Sequence, residues 1–156
     1  MNSMYFMIMV LTRLHTSKII EFYSAETSTS MALPIAEAIS AGFPSPAADY
    51  LEMTLDINKE LVNNPSSTFY GRVKGNSMID AGIHDGDILV IDKSLEPANN
   101  KKAVCFIDGQ FTLKTLKIVK GEVWLKPENK DYSPIKITPD NDFIVWGIVT
   151  HIIHKA

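Results

Sequence analysis

Two glycine dipeptides constrain this chain most. Asp108-Gly109 separates the apolar-rich runs Ala103–Ile107 and Gln110–Ile118, and Lys120-Gly121 separates the second run from Glu122–Leu125. A two-residue loop of this type joins antiparallel neighbours, because its mirror-image turn matches the right-handed twist of the flanking strands. The stretch therefore predicts a three-stranded meander. Further strands are predicted at Thr68–Val73, Ile88–Asp92 and Phe143–Ile153. Short strands with tight turns make a mainly β fold: a small sandwich, twisted sheet or partly closed barrel. One helix is expected, from Ile57 to about Asn63, capped by Asp56 and stopped by Pro65.

With 156 residues, 46% of them apolar, the chain suits one compact domain plus a tail. The lone cysteine, Cys105, lies inside the run Ala103–Ile107 and reads as a buried small hydrophobe. No disulfide framework is available, which fits a reducing, cytoplasmic setting. The net charge is −3 and the basic residues are scattered, so direct DNA binding by this chain is not expected. Met4–Leu11 is apolar but far shorter than the ~20 residues that span a bilayer. It also lacks the basic start of a secretory signal. No membrane association is expected.

Residues 1–41 differ in texture from the rest. They hold the apolar start, a Ser/Thr cluster (Ser24, Thr27, Ser28, Thr29, Ser30) and a short segment from Pro34 to Ile39. They read as a flexible N-terminal arm, with the folded domain in 42–156. In Gly42-Phe43-Pro44-Ser45-Pro46 two prolines at alternate positions forbid a helix and hold the chain extended. Proteases bind substrate backbone in that form.

Ser77, in Gly75-Asn76-Ser77-Met78, is the candidate nucleophile. Gly75 can take a backbone conformation that other residues resist, turning successive N–H groups outward near the serine. Met78-Ile79 should then anchor the next turn in the core. A serine hydroxyl needs a proton acceptor within hydrogen-bond reach. His84 sits in a turn-forming stretch and reads as exposed. His15, His151 and His154 have no evident carboxylate partner, and two terminal histidines make a weak metal signal. Lys114 is the other candidate base. Strand parity puts it on one face with Thr112, Leu116 and Ile118, and burial beside apolar groups lowers an amine's pKa. A lysine with its head in water is the plain alternative.

Four motifs carry a resemblance: Gly42 to Tyr50 (GFPSPAADY), Gly75 to Asp80 (GNSMID), His84 to Asp87 (HDGD) and Phe111 to Lys114 (FTLK). In order and spacing they resemble the UmuD-like branch of the LexA-like self-cleaving serine proteases, of peptidase S24 type. The likeness runs from about Pro34 to His154. It implies a LexA-like C-terminal protease and dimerisation domain in 42–156. Ser77 would be the nucleophile and Lys114 the general base, with Asn76 a backbone oxyanion donor alongside Ser77. The self-cleavage bond would be Ala41-Gly42, so that the arm 1–41 is removed. It also implies a homodimer, activation by the RecA filament on single-stranded DNA, and assembly with a UmuC-like Y-family polymerase subunit in the SOS response. No cofactor or metal is implied. Asn76 departs from the acidic residue found in UmuD, which leaves a backbone role intact, and Met1 to about Met31 lies outside the likeness.

Three rival readings share parts of this pattern. A LexA-type repressor needs a DNA-binding domain ahead of the protease, for which residues 1–41 are too short and insufficiently basic. A signal-peptidase-like protease needs a membrane anchor. A pure binding module would carry the fold with a dead site.

Overall fold

The computed structural model describes residues 13–16, 20–25, 30, 32–34 and 54–156. The apolar run Met4–Leu11, the Ala41-Gly42 bond and the proline segment 42–46 lie outside the described residues.

Nine strands form one antiparallel sheet. In chain order they are β1 (Arg13–Thr16), β2 (Ile20–Ser24), β5 (Thr68–Val73), β6 (Ile88–Asp92), β7 (Lys102–Ile107), β8 (Gln110–Val119), β9 (Glu122–Lys126), β10 (Ile135–Lys136) and β11 (Phe143–Ile153). Across the sheet they run β1-β2-β5-β6-β11-β7-β8-β9-β10. The ends, β1 and β10, do not pair, so the sheet stays open rather than closing into a barrel. A separate ribbon pairs β3 (Ala32–Pro34) with β4 (Thr54–Asp56).

The predicted meander is present as β7, β8 and β9. Its turns have the backbone that their sequences demand: φ is +48° at Asp108 and +84° at Gly109, then +50° at Lys120 and +79° at Gly121. These values are the mirror-image turn. The last strand, β11, sits at the centre, between β6 and β7. Its register shifts at Val145/Gly147 and again at Val149/His151, bulges that increase local twist.

The helix α1 covers Ile57–Leu61, and the Asn58 N–H donates to Asp56 Oδ1 at 3.1 Å. It ends two residues before the expected stop. Val62 turns extended (φ −117°, ψ 90°) and buries its side chain, and a β-branched residue gains more from that packing than from another helical turn.

The sheet carries apolar clusters on both faces. One joins Ile20, Phe22, Val73, Met78, Ile83, Leu89, Ile91, Val104 and Leu113, with Phe111 and Trp146 against it. The other joins Ala103, Cys105, Leu116, Leu125 and Ile148. Ile20 and Phe22 belong to β2, a strand for which the reading of 1–41 as a flexible N-terminal arm made no provision. Alternation of Ile20 and Phe22 supplies the inward face, and they are 0% and 1% exposed.

Candidate active site

The turn that carries Ser77 leaves β5 at Val73. Gly75 there has φ +91°, a region costly for residues with a Cβ, and its N–H donates to Asp85 Oδ1 at 2.7 Å. Met78, 2% exposed, plugs the turn into the core. The expected second anchor, Ile79, is instead 42% exposed. It opens the short 3-10 turn Ile79–Ala81, whose curvature points it outward, and Ile83, fully buried, takes the anchoring role. The Met78 carbonyl accepts from the N–H groups of Ala81 (3.1 Å) and Ile83 (3.2 Å), closing the loop.

Asn76 is fixed from a distant loop. Its carbonyl accepts from Asn129 Nδ2 at 2.9 Å and its side-chain Oδ1 from the Tyr132 hydroxyl at 3.1 Å. Beside it the Asp80 N–H donates to the Glu128 carbonyl at 2.8 Å. Together these bonds orient the peptides around Ser77. Among the described residues, the N–H groups of Asn76 and Ser77 have no acceptor.

Lys114 approaches from β8. It pairs across the strands with Ala103, and the neighbouring pair Thr112 with Cys105 lies on the same face, as strand parity required. The residue is 7% exposed. Its Nζ stands 3.2 Å from Ser77 Oγ, 2.8 Å from Thr112 Oγ1 and 3.0 Å from the Leu113 carbonyl. Burial lowers its pKa from the ordinary lysine value, and only an ionised Cys105 nearby would push the other way. That thiol is itself pushed up to about 12 by burial, so Cys105 stays protonated and inert, as its apolar setting suggested. A neutral amine has two hydrogens and one lone pair. Were the amine neutral, donation to Thr112 Oγ1 and the Leu113 carbonyl would use both hydrogens and leave the lone pair for the Ser77 hydroxyl.

The fold thus brings together Ser77, Lys114 and Asn76, while Ala41 and Gly42 lie outside the described residues. Sequence reasoning missed Asp85, Asn129 and Tyr132. Asn129 carries a local signal, since its Oδ1 accepts from the Asp131 N–H at 2.9 Å in an Asx turn. Nothing in that signal points to a partner 53 positions away.

His84 and His154 gather elsewhere. His154 Nδ1 lies 2.7 Å from Asp87 Oδ1, and the Asp87 Oδ2 accepts from the His84 N–H at 2.8 Å. His154 therefore does have a carboxylate partner, made by β11 returning its end to the turn before β6. These three side chains could offer three donor atoms within 4.8 Å of one another. Both oxygens of Asp87 already accept hydrogen bonds, which accounts for its lowered pKa against the cost of burial. Among the described residues no helix is long and apolar enough to cross a membrane.

Comparison with known proteins gives a concordant picture. The family model described as Peptidase S24-like matches residues 34–150. Protein MucA of Salmonella typhimurium is 42% identical over 132 residues, covering 83% of this chain and 90% of MucA. Protein SamA of the same species is 39% identical over 120 residues, covering 77% and 83%. LexA repressor 1 of Geobacter sulfurreducens is 35% identical over 127 residues, which is 81% of this chain but 62% of the repressor.

Proposed function

The chain belongs to the S24-like peptidases, and from that premise we propose that it is a serine endopeptidase that cuts itself at Ala41-Gly42. Its trimmed form would then serve as the accessory subunit of an error-prone translesion polymerase in the SOS response. The observation that carries the chemistry is a buried amine 3.2 Å from the Ser77 hydroxyl.

Lys114, neutral, accepts the Ser77 proton as Oγ attacks the Ala41 carbonyl. The oxyanion is met by the unengaged N–H groups of Asn76 and Ser77, each such donor contributing about 3 kcal/mol in the transition state. The tetrahedral intermediate collapses, Lys114 returns the proton to the Gly42 nitrogen, and the new amino terminus leaves. Water, deprotonated by the same amine, then hydrolyses the ester on Ser77. Because the substrate is part of the same chain, its effective concentration is high. Control can then rest on how often the arm enters the cleft. Stabilisation of that state by a RecA filament on single-stranded DNA is the regulatory half of the proposal, and a homodimer joined to a Y-family catalytic subunit is its assembly half. Both are supported by the likeness to MucA and SamA. The higher identity to MucA, 42% against 35% for LexA repressor 1, favours the polymerase-subunit reading over the repressor reading.

Incubation at alkaline pH, and separately with RecA, ATP and single-stranded DNA, tests this directly. Mass spectrometry should find fragments 1–41 and 42–156 from the parent and neither from Ser77→Ala or Lys114→Ala. Normal cutting by either variant removes that residue from the mechanism.

A further inference from the structure

β2 lies on the N-terminal side of the proposed cut, yet it is built into the sheet of the part that remains. It pairs with β5 over five residues, from Ile20 opposite Val73 to Ser24 opposite Phe69. Ile20 and Phe22 enter the main core. The Phe22 ring stands 4.8 Å from Phe111 and 4.6 Å from Trp146, centroid to centroid. Lys74 Nζ reaches Glu21 Oε1 at 2.8 Å.

The receiving strand is shaped for this guest. Gly71, opposite Phe22, lies inside β5, where glycine ordinarily weakens a strand. A Cβ at that position would come within 3.0 Å of Ile20 Cγ2 and 2.9 Å of Ile91 Cδ1. The missing side chain is what lets Ile20 seat against the sheet. On the opposite face of β2, Tyr23 helps line a cavity of about 350 Å³ with Leu61, Tyr70 and Ile153.

We propose that the β5 edge, with the Phe69, Phe111 and Trp146 rings beneath it, is a strand-binding site whose occupant is the chain's own residues 20–24, and that it keeps this occupant after the chain is cut. The proposal rests on the cut falling at Ala41-Gly42. Cutting and loss of the arm are then two separate events. Hydrolysis removes the tether, while hydrogen bonds along five residue pairs and two buried side chains still hold the fragment. Departure without replacement would open the β5 edge and bare an aromatic floor, an exposed edge of the kind proteins protect. The arm therefore leaves when another extended apolar segment takes its place, as in strand addition to a sheet edge.

The test separates this from the protease chemistry. Full-length Ser77→Ala protein, with a site for an exogenous protease replacing residues around Ala41-Gly42 and a fluorophore at its N-terminus, is nicked to completion and run on size exclusion in native buffer. The label should elute with the 42–156 portion, and separate from it in denaturant. Addition of excess unlabelled peptide spanning residues 13–31 should release it, whereas a scrambled peptide should not. Phe22→Asp should shed the label at once on nicking. Its retention by Phe22→Asp, or elution of the label as free fragment from the parent, overturns the proposal, whatever the parent's own cutting activity.

Discussion

The two halves of the candidate site are held by different physics. Ser77 sits on a turn fixed by directional polar bonds: Asp85 to the Gly75 N–H, Asn129 to the Asn76 carbonyl, Tyr132 to the Asn76 side chain. Lys114 sits in the middle of a ten-residue strand, on the face shared with Ala103, Cys105 and Leu116. Hydrogen bonds give the serine turn its orientation, whereas apolar burial gives the lysine its lowered pKa. A polar turn can be re-aimed by losing one bond. A buried amine changes only if the packing around it changes.

Charge is the harshest perturbation of the lysine half. Lys114→Arg keeps a long cation but cannot deprotonate. Self-cutting should fall by on the order of 10²–10⁴-fold at every pH, measured as loss of full-length protein on gels. Recovery of cutting at alkaline pH would contradict a base at this position.

Loosening the apolar wall is milder. Leu116 is 1% exposed, and Leu116→Ala should cost about 2–5 kcal/mol of folding stability, read by chemical denaturation. The sign of its kinetic effect follows from burial. In the parent, the free amine fraction rises with pH through a midpoint below the ordinary lysine pKa of about 10.4, because burial lowers the value. Water entering at Leu116→Ala moves that pKa back up, so the rising limb of the rate profile should shift to higher pH. An unshifted limb would mean that Leu116 does not tune the amine.

The smallest effect belongs to the serine half. Asn129→Ala removes one bond to the Asn76 carbonyl, and at about 1 kcal/mol the rate should drop about fivefold. Its pH profile should keep its midpoint, because nothing around Lys114 has changed. A shifted midpoint would merge the two halves that the geometry separates.

Much of the strand pattern was legible because turn chemistry and alternation are local. Asp108-Gly109 and Lys120-Gly121 announced their turns, and the parity that put Lys114 with Leu116 needed only a period of two. The helix length was misjudged at Val62, where burial outweighed continuation. β2 was passed over because its five residues abut a Ser/Thr cluster, and their apolar alternation gains weight only once β5 stands beside them with Gly71 open. Asn129 and Tyr132 were invisible for a related reason: their sequence signals describe their own loop and not its neighbour.

The residues alone determined where β5 to β9 and β11 lie, which face of β8 carries the amine, and that Gly75 opens the turn that carries Ser77, since each follows from preferences spanning a few bonds. Tertiary structure alone decided that Lys114 meets Ser77 from 37 positions away, that β11 occupies the centre of the sheet, and that part of the arm belongs to the core. A period of two tells a strand which side to bury but not which strand to join, and that choice is made by how the whole set of apolar faces packs together.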